Sequence, residues 1–117
     1  MARRTVTVSG ANTYIDDLST TPVALNTFTA NDATPSVALG RFFITANTVA
    51  TTITDFDGTL GNGHHITIYI NDAYTTIAHD ALKIDMPGDI DQFFGVGDIV
   101  EAISISGVWK LWNARQD

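Results

Sequence analysis

The sequence predicts an all-β fold, a single small sandwich-, barrel- or prism-like domain of about eight short strands. Three observations predict it. Charged residues make up only 16% of the 117 positions, below the ~25% usual for a globular chain. Thr, Ile and Val are abundant while the good helix formers Glu, Lys and Gln are scarce. Short apolar segments alternate with period two and are separated by turns rich in Gly, Asn and Asp, at spacings of about ten residues. A chain of this length buries about two-thirds of its unfolded surface, enough for a core. It contains no cysteine, so neither disulfides nor thiolate-bound metals contribute.

Thr5-Val6-Thr7-Val8 alternates and stops at Ser9-Gly10, a strand followed by a turn. Tyr14, Ile15 and Leu18 follow no period and predict loop, and Val23, Leu25 and Phe28 fit an extended segment after Pro22. Residues 1–35 therefore read as an N-terminal arm or strand region, packing on the body or on a neighbouring subunit, and 36–117 as the β domain. Val37, Leu39, Phe42 and Ile44 mark a strand interrupted at Gly40. Residues 50–56 form the next, ended by Asp57-Gly58 and Gly61-Asn62-Gly63. The clearest strand is 65–70, with Ile66, Ile68 and Ile70 on one face and His65, Thr67 and Tyr69 on the other.

Residues 74–78 and 81–85 read as two short strands before the break at Met86-Pro87-Gly88-Asp89. Phe93-Phe94 lies between turn residues, and the alternating Ile103-Ser104-Ile105-Ser106 ends a strand. A turn at Gly107 leads into Val108-Trp109-Lys110-Leu111-Trp112, so the chain closes in a hairpin with Trp109 directed to the core and Trp112 to the surface.

Six basic against thirteen acidic residues give a formal charge of −7, which argues against nucleic acid or an anionic membrane as partner. Apolar runs are too short for a bilayer span, and the N-terminal Arg3-Arg4 precedes no apolar segment of the secretory type. No membrane insertion is expected.

Asp55-Phe56-Asp57-Gly58-Thr59-Leu60 is similar to the first motif of haloacid-dehalogenase-type phosphatases, in which two aspartates hold Mg²⁺ and one attacks phosphorus. That chemistry belongs to a doubly wound α/β sheet, whereas the residues after Leu60 are β-like, so the string reads as a strand ending in an Asp-Gly turn. His64, His65 and His79 have no chelating spacing, and adjacent strand residues face opposite ways; no metal and no cofactor is expected. Asp85, Asp89, Asp91 and Asp98 are explained by turn chemistry. Glu101 is the only glutamate and no carboxylate pair has catalytic spacing, so no catalytic residues are assigned and the chain reads as a non-enzyme. Tyr69, Tyr74 and Trp112 are the aromatics able to stack on a sugar ring.

Phe42-Phe43-Ile44-Thr45-Ala46-Asn47, then Ala50-Thr51-Thr52-Ile53-Thr54-Asp55-Phe56-Asp57-Gly58, then Gly63-His64-His65-Ile66-Thr67-Ile68-Tyr69 follow one another in a recognisable order. Tyr74-Thr75-Thr76-Ile77, Gly97-Asp98-Ile99-Val100 and Gly107-Val108-Trp109 complete it. The series resembles the small β module at or near the C-terminus of phage tail-spike and tail-fibre proteins and of pectate-lyase-like β-helix proteins. His64-His65 stands where that module commonly has Gln, and these 117 residues do not include the large β-helix that usually lies upstream of it.

The resemblance implies a bacteriophage virion structural protein or module, a spike, fibre tip or capsid decoration, located in the extracellular particle. It also implies a homotrimer that contacts other virion proteins and lacks catalytic residues. Low charge fits that expectation independently, because oligomers hide sheet edges that a monomer guards with charge. The residues expected at the trimer axis or interface are His64, His65, Phe42 and Ile66. The alternative is a carbohydrate-binding module attaching to a cell-surface glycan through Tyr69, Tyr74 and Trp112.

Overall fold

Two sheets organise the chain, and the computed structural model describes residues 25–115. The expected strand at 5–8 and most of the 1–35 region lie outside the described residues. The protein is mostly strand, with no α-helix among the described residues. The strands are β1 (Leu25–Thr27), β2 (Phe42–Ile44), β3 (Thr51–Ile53), β4 (His65–Tyr69), β5 (Thr75–Ile77), β6 (Ile84–Asp85), β7 (Gln92–Phe94), β8 (Ile99–Ile105) and β9 (Val108–Arg115). One six-stranded sheet has the order β1-β2-β4-β8-β9-β6, and a three-stranded sheet has β3-β5-β7.

The first five strands are joined by parallel winding. β1, β2 and β4 are parallel neighbours, with Leu25 opposite Phe42 and Phe42 opposite Thr67. β3 and β5 are parallel in the other sheet, with Thr51 opposite Thr75. A third side is made where Ser36 bridges Asp57, again in parallel. The chain thus coils from one sheet to the other and back, each turn lying on the last. The segment expected as one strand from Val37 to Ile44 is accordingly split: Val37 belongs to the third side and β2 to the first sheet, with a bend at 38–41 between them. Residues 25–35 join this body, since β1 enters the sheet and Phe28 is buried in the core.

A column of Asn and Asp side chains stitches one corner of the coil. Asn47 Oδ1 accepts the Asn31 amide at 2.7 Å, and Asp72 Oδ2 accepts the Asn47 amide at 2.9 Å. Each side chain therefore satisfies a backbone donor of the preceding turn, a donor that no ladder partner reaches at a bend. Asp72 Oδ1 also accepts the Tyr74 amide and the Thr75 hydroxyl, each at 2.8 Å.

Antiparallel strands close the coil. β7 pairs with β5 and β8 with β4. β8 and β9 form the expected terminal hairpin, whose two-residue turn has positive φ at both Ser106 (52°) and Gly107 (83°), the type I′ geometry that matches strand twist. The core runs along the coil: Phe28 stacks on Phe43 with centroids 4.9 Å apart, and Trp109 meets Phe56 edge-on at 5.5 Å. Ile66, Ile68 and Ile70 are buried beneath them, as the alternation of β4 requires.

The Asp57-Gly58 step shows why glycine is needed on the third side. Gly58 has φ 76°, and a Cβ there would lie 3.0 Å from the Ala38 Cβ and 3.2 Å from the Ser36 Oγ. Gly58→Ala combines a left-handed backbone with a steric conflict against the adjacent turn, and is expected to cost about 1–3 kcal/mol. A urea unfolding midpoint equal to that of the wild type would contradict this.

Candidate functional site

The six-stranded sheet has an inner face in the core and an outer face whose residues follow from register alone. One cross-strand row reads Leu25, Phe42, Thr67, Glu101, Trp112 from β1 to β9. The next reads Thr27, Ile44, Tyr69, Ile99. On the other side His65, Ile103, Lys110 and Asp85 line up across β4, β8, β9 and β6. Partners directly opposite share a face. This outer face is therefore rich in large apolar groups, with Leu25 61% and Tyr69 39% exposed and Phe42, Ile44, Ile99, Ile103 and Trp112 half-buried.

Within it the β4–β8–β9 part is distinct in chemistry. The His65 ring stacks on Trp112 with centroids 5.3 Å apart and planes 26° from parallel. His65 Nε2 is buried without a hydrogen-bond partner and faces Glu101 Oε1 at 3.4 Å. Thr67 lies directly opposite Glu101, and Tyr69 is two residues further along β4 on the same face. Beside them Lys110 Nζ bonds Asp85 Oδ2 at 2.8 Å. That hydrogen bond, with a smaller charge contribution from Lys110, outweighs desolvation and lowers the pKa of Asp85 from its ordinary value.

The expected site residues separate cleanly by strand parity. His65 and Phe42 lie on the outer face. His64 and Ile66 are buried inside their own chain. His64 accepts the Leu60 amide at Nδ1 (3.0 Å) and its Nε2 lies 2.7 Å from the Gly40 carbonyl. Those partners fix the tautomer with the proton on Nε2, and the ring meets Trp109 edge-on at 5.5 Å. Tyr69 and Trp112 share the outer face, while Tyr74 immediately precedes β5 in the other sheet, although it is 44% exposed. The His65–Glu101 pairing escaped the sequence reading because it joins strands far apart in the chain.

The phosphatase-like string is part of the coil. The Asp57 amide donates to the Pro35 carbonyl and its carbonyl accepts the Val37 amide, Phe56 is buried between the two aspartates, and Asp55 Oδ1 accepts the Phe56 amide. Among the described residues His79, Asp85 and Asp89 are the one group with ligand atoms close enough to hold a metal ion. His79 Nδ1 is already engaged by the Met86 amide at 3.1 Å, and Asp85 by Lys110. Two of the candidate ligand atoms are thus engaged within the chain, and the cluster acts as a turn clasp. Asp91 fits the same description, since its Oδ1 accepts the His79 amide at 2.8 Å.

No family model, curated protein or solved structure matches the chain. Among the described residues no helix is long and apolar enough to cross a membrane.

Proposed function

We propose that the chain is a non-enzymatic structural module of a bacteriophage particle, a spike, fibre tip or capsid decoration, that assembles as a stable homotrimer and contacts other virion proteins. The observation that carries the reading is the outer sheet face, above all Leu25, Phe42 and Ile44 on β1 and β2. Contiguous apolar patches on a chain of low charge mark surfaces that another protein covers. A three-fold assembly would cover this patch on every copy and shield the β1 edge as well. The coil agrees with the resemblance to terminal modules of β-helical spikes, because it winds in parallel and is then closed by antiparallel strands. Of the expected interface residues, Phe42 stands in the patch, His65 borders it, and His64 and Ile66 serve the core.

Phe42→Asp combined with Ile44→Asp places two carboxylates in the patch without touching the buried row. The double variant is expected to keep its far-ultraviolet circular dichroism and to elute at one-third of the wild-type mass. An unchanged assembly would remove this face from the interface.

A further inference from the structure

We propose that the β4–β8–β9 part of the outer face binds a neutral, polyhydroxylated glycan, with Tyr69 and the His65–Trp112 pair as stacking plates and Glu101 as the hydrogen-bond acceptor between them. This goes beyond the structural role and does not depend on the number of copies in the particle. Tyr69 and Trp112 sit two strands and one pleat repeat apart, about 12 Å by sheet geometry, the span of a short oligosaccharide. The stack of His65 against Trp112 fixes the indole plane before any ligand arrives, which lowers the entropy lost on binding.

Glu101 supplies the polar half of the recognition. Its Oε1 faces the buried His65 Nε2 at 3.4 Å, and the rest of the carboxylate is partly exposed. A partly exposed carboxylate in an apolar setting favours a ligand that brings hydroxyl donors together with apolar faces. A pyranose does both, presenting C–H groups to an aromatic ring and O–H groups at its rim. Thr67, opposite Glu101, adds a hydroxyl at the centre of the patch.

Charge selects against the other stacking ligands. Glu101 puts a carboxylate at the centre of this part of the face, and Lys110 beside it is held by Asp85 at 2.8 Å, so a phosphate or an acidic sugar would meet a like charge there. The formal charge of −7 repels such ligands further.

The test is a neutral glycan array of glucans, galactans, mannans and N-acetylhexosamine oligomers, run on the full chain, followed by fluorescence titration of the best binder. Binding in the millimolar to micromolar range is expected, with Trp112→Ala and Tyr69→Ala each weakening it about tenfold or more. Glu101→Gln should weaken it less, and Tyr74→Ala, which alters the other sheet, should leave it unchanged. Trp112→Phe keeps an aromatic plate and guards against a variant that simply misfolds. The proposal is overturned if no neutral glycan binds at millimolar concentration, if only acidic glycans bind, or if binding survives both Trp112→Ala and Tyr69→Ala. Particle mass is measured separately, so this inference and the trimer reading can fail independently.

Discussion

Asp72→Ala is expected to lower stability by about 3–4 kcal/mol, as befits the loss of one carboxylate that satisfies several buried donors at once. Its oxygens accept the amides of Asn47 and Tyr74 and the hydroxyl of Thr75, and Thr45 adds a further side-chain hydrogen bond. Asn47 also reaches the Thr75 hydroxyl through its own amide at 2.9 Å, so the network links successive turns of the coil. Asp72→Asn should be nearly as harmful, because an amide nitrogen would face donors where the second carboxylate oxygen now accepts them.

The same residue sets an acid limit. Burial alone would raise its pKa, but the hydrogen bonds from Thr45, Tyr74, Thr75 and Asn47 outweigh it and hold the carboxyl below the ordinary value of 3.8. A carboxyl with a lowered folded pKa contributes its full stability above the unfolded value and loses it as pH falls through the folded one. Stability should therefore decline below about pH 4. Asp85, lowered by Lys110, titrates in the same direction, so the diagnostic quantity is the difference between wild type and Asp72→Asn. That difference should shrink as pH falls; a constant difference would contradict the assignment.

Trp109→Ala is expected to cost about 3–5 kcal/mol, the range for deleting a large buried aromatic side chain. The indole is nearly fully buried and contacts Phe56 and His64 edge-on, so it ties the closing hairpin to the third side and to the loop before β4. Denaturant unfolding should show a large fall in midpoint, and Trp109→Phe should recover part of it. A loss below about 1 kcal/mol, the level of a typical surface change, would mean that the hairpin is not anchored there.

Much of the strand content was legible because alternation is a local signal. The 65–70 segment and the terminal hairpin match β4, β8 and β9, and Trp109 lies in the core as its parity requires. The burial of His64 was legible in principle: it shares the parity of Ile66, Ile68 and Ile70, so it faces inward with them. Ile66 as an interface residue conflicts with that same parity.

The parallel winding was not legible, since pairing Phe42 with Thr67 joins strands separated by a strand of the other sheet. For the same reason Asn31, Asn47 and Asp72 read as separate turn residues, although they form one column. Tyr69 and Tyr74 are close in sequence, yet the turn between them carries the chain from one sheet to the other. His65, Glu101 and Trp112 are distant in sequence, yet the register brings them together.

The proposed three-fold particle, in which copies meet through the apolar sheet face, is weighed by multi-angle light scattering at low micromolar concentration and again after dilution. A mass of three times 12.6 kDa that persists on dilution is expected. A mass of 12.6 kDa at every concentration would contradict it.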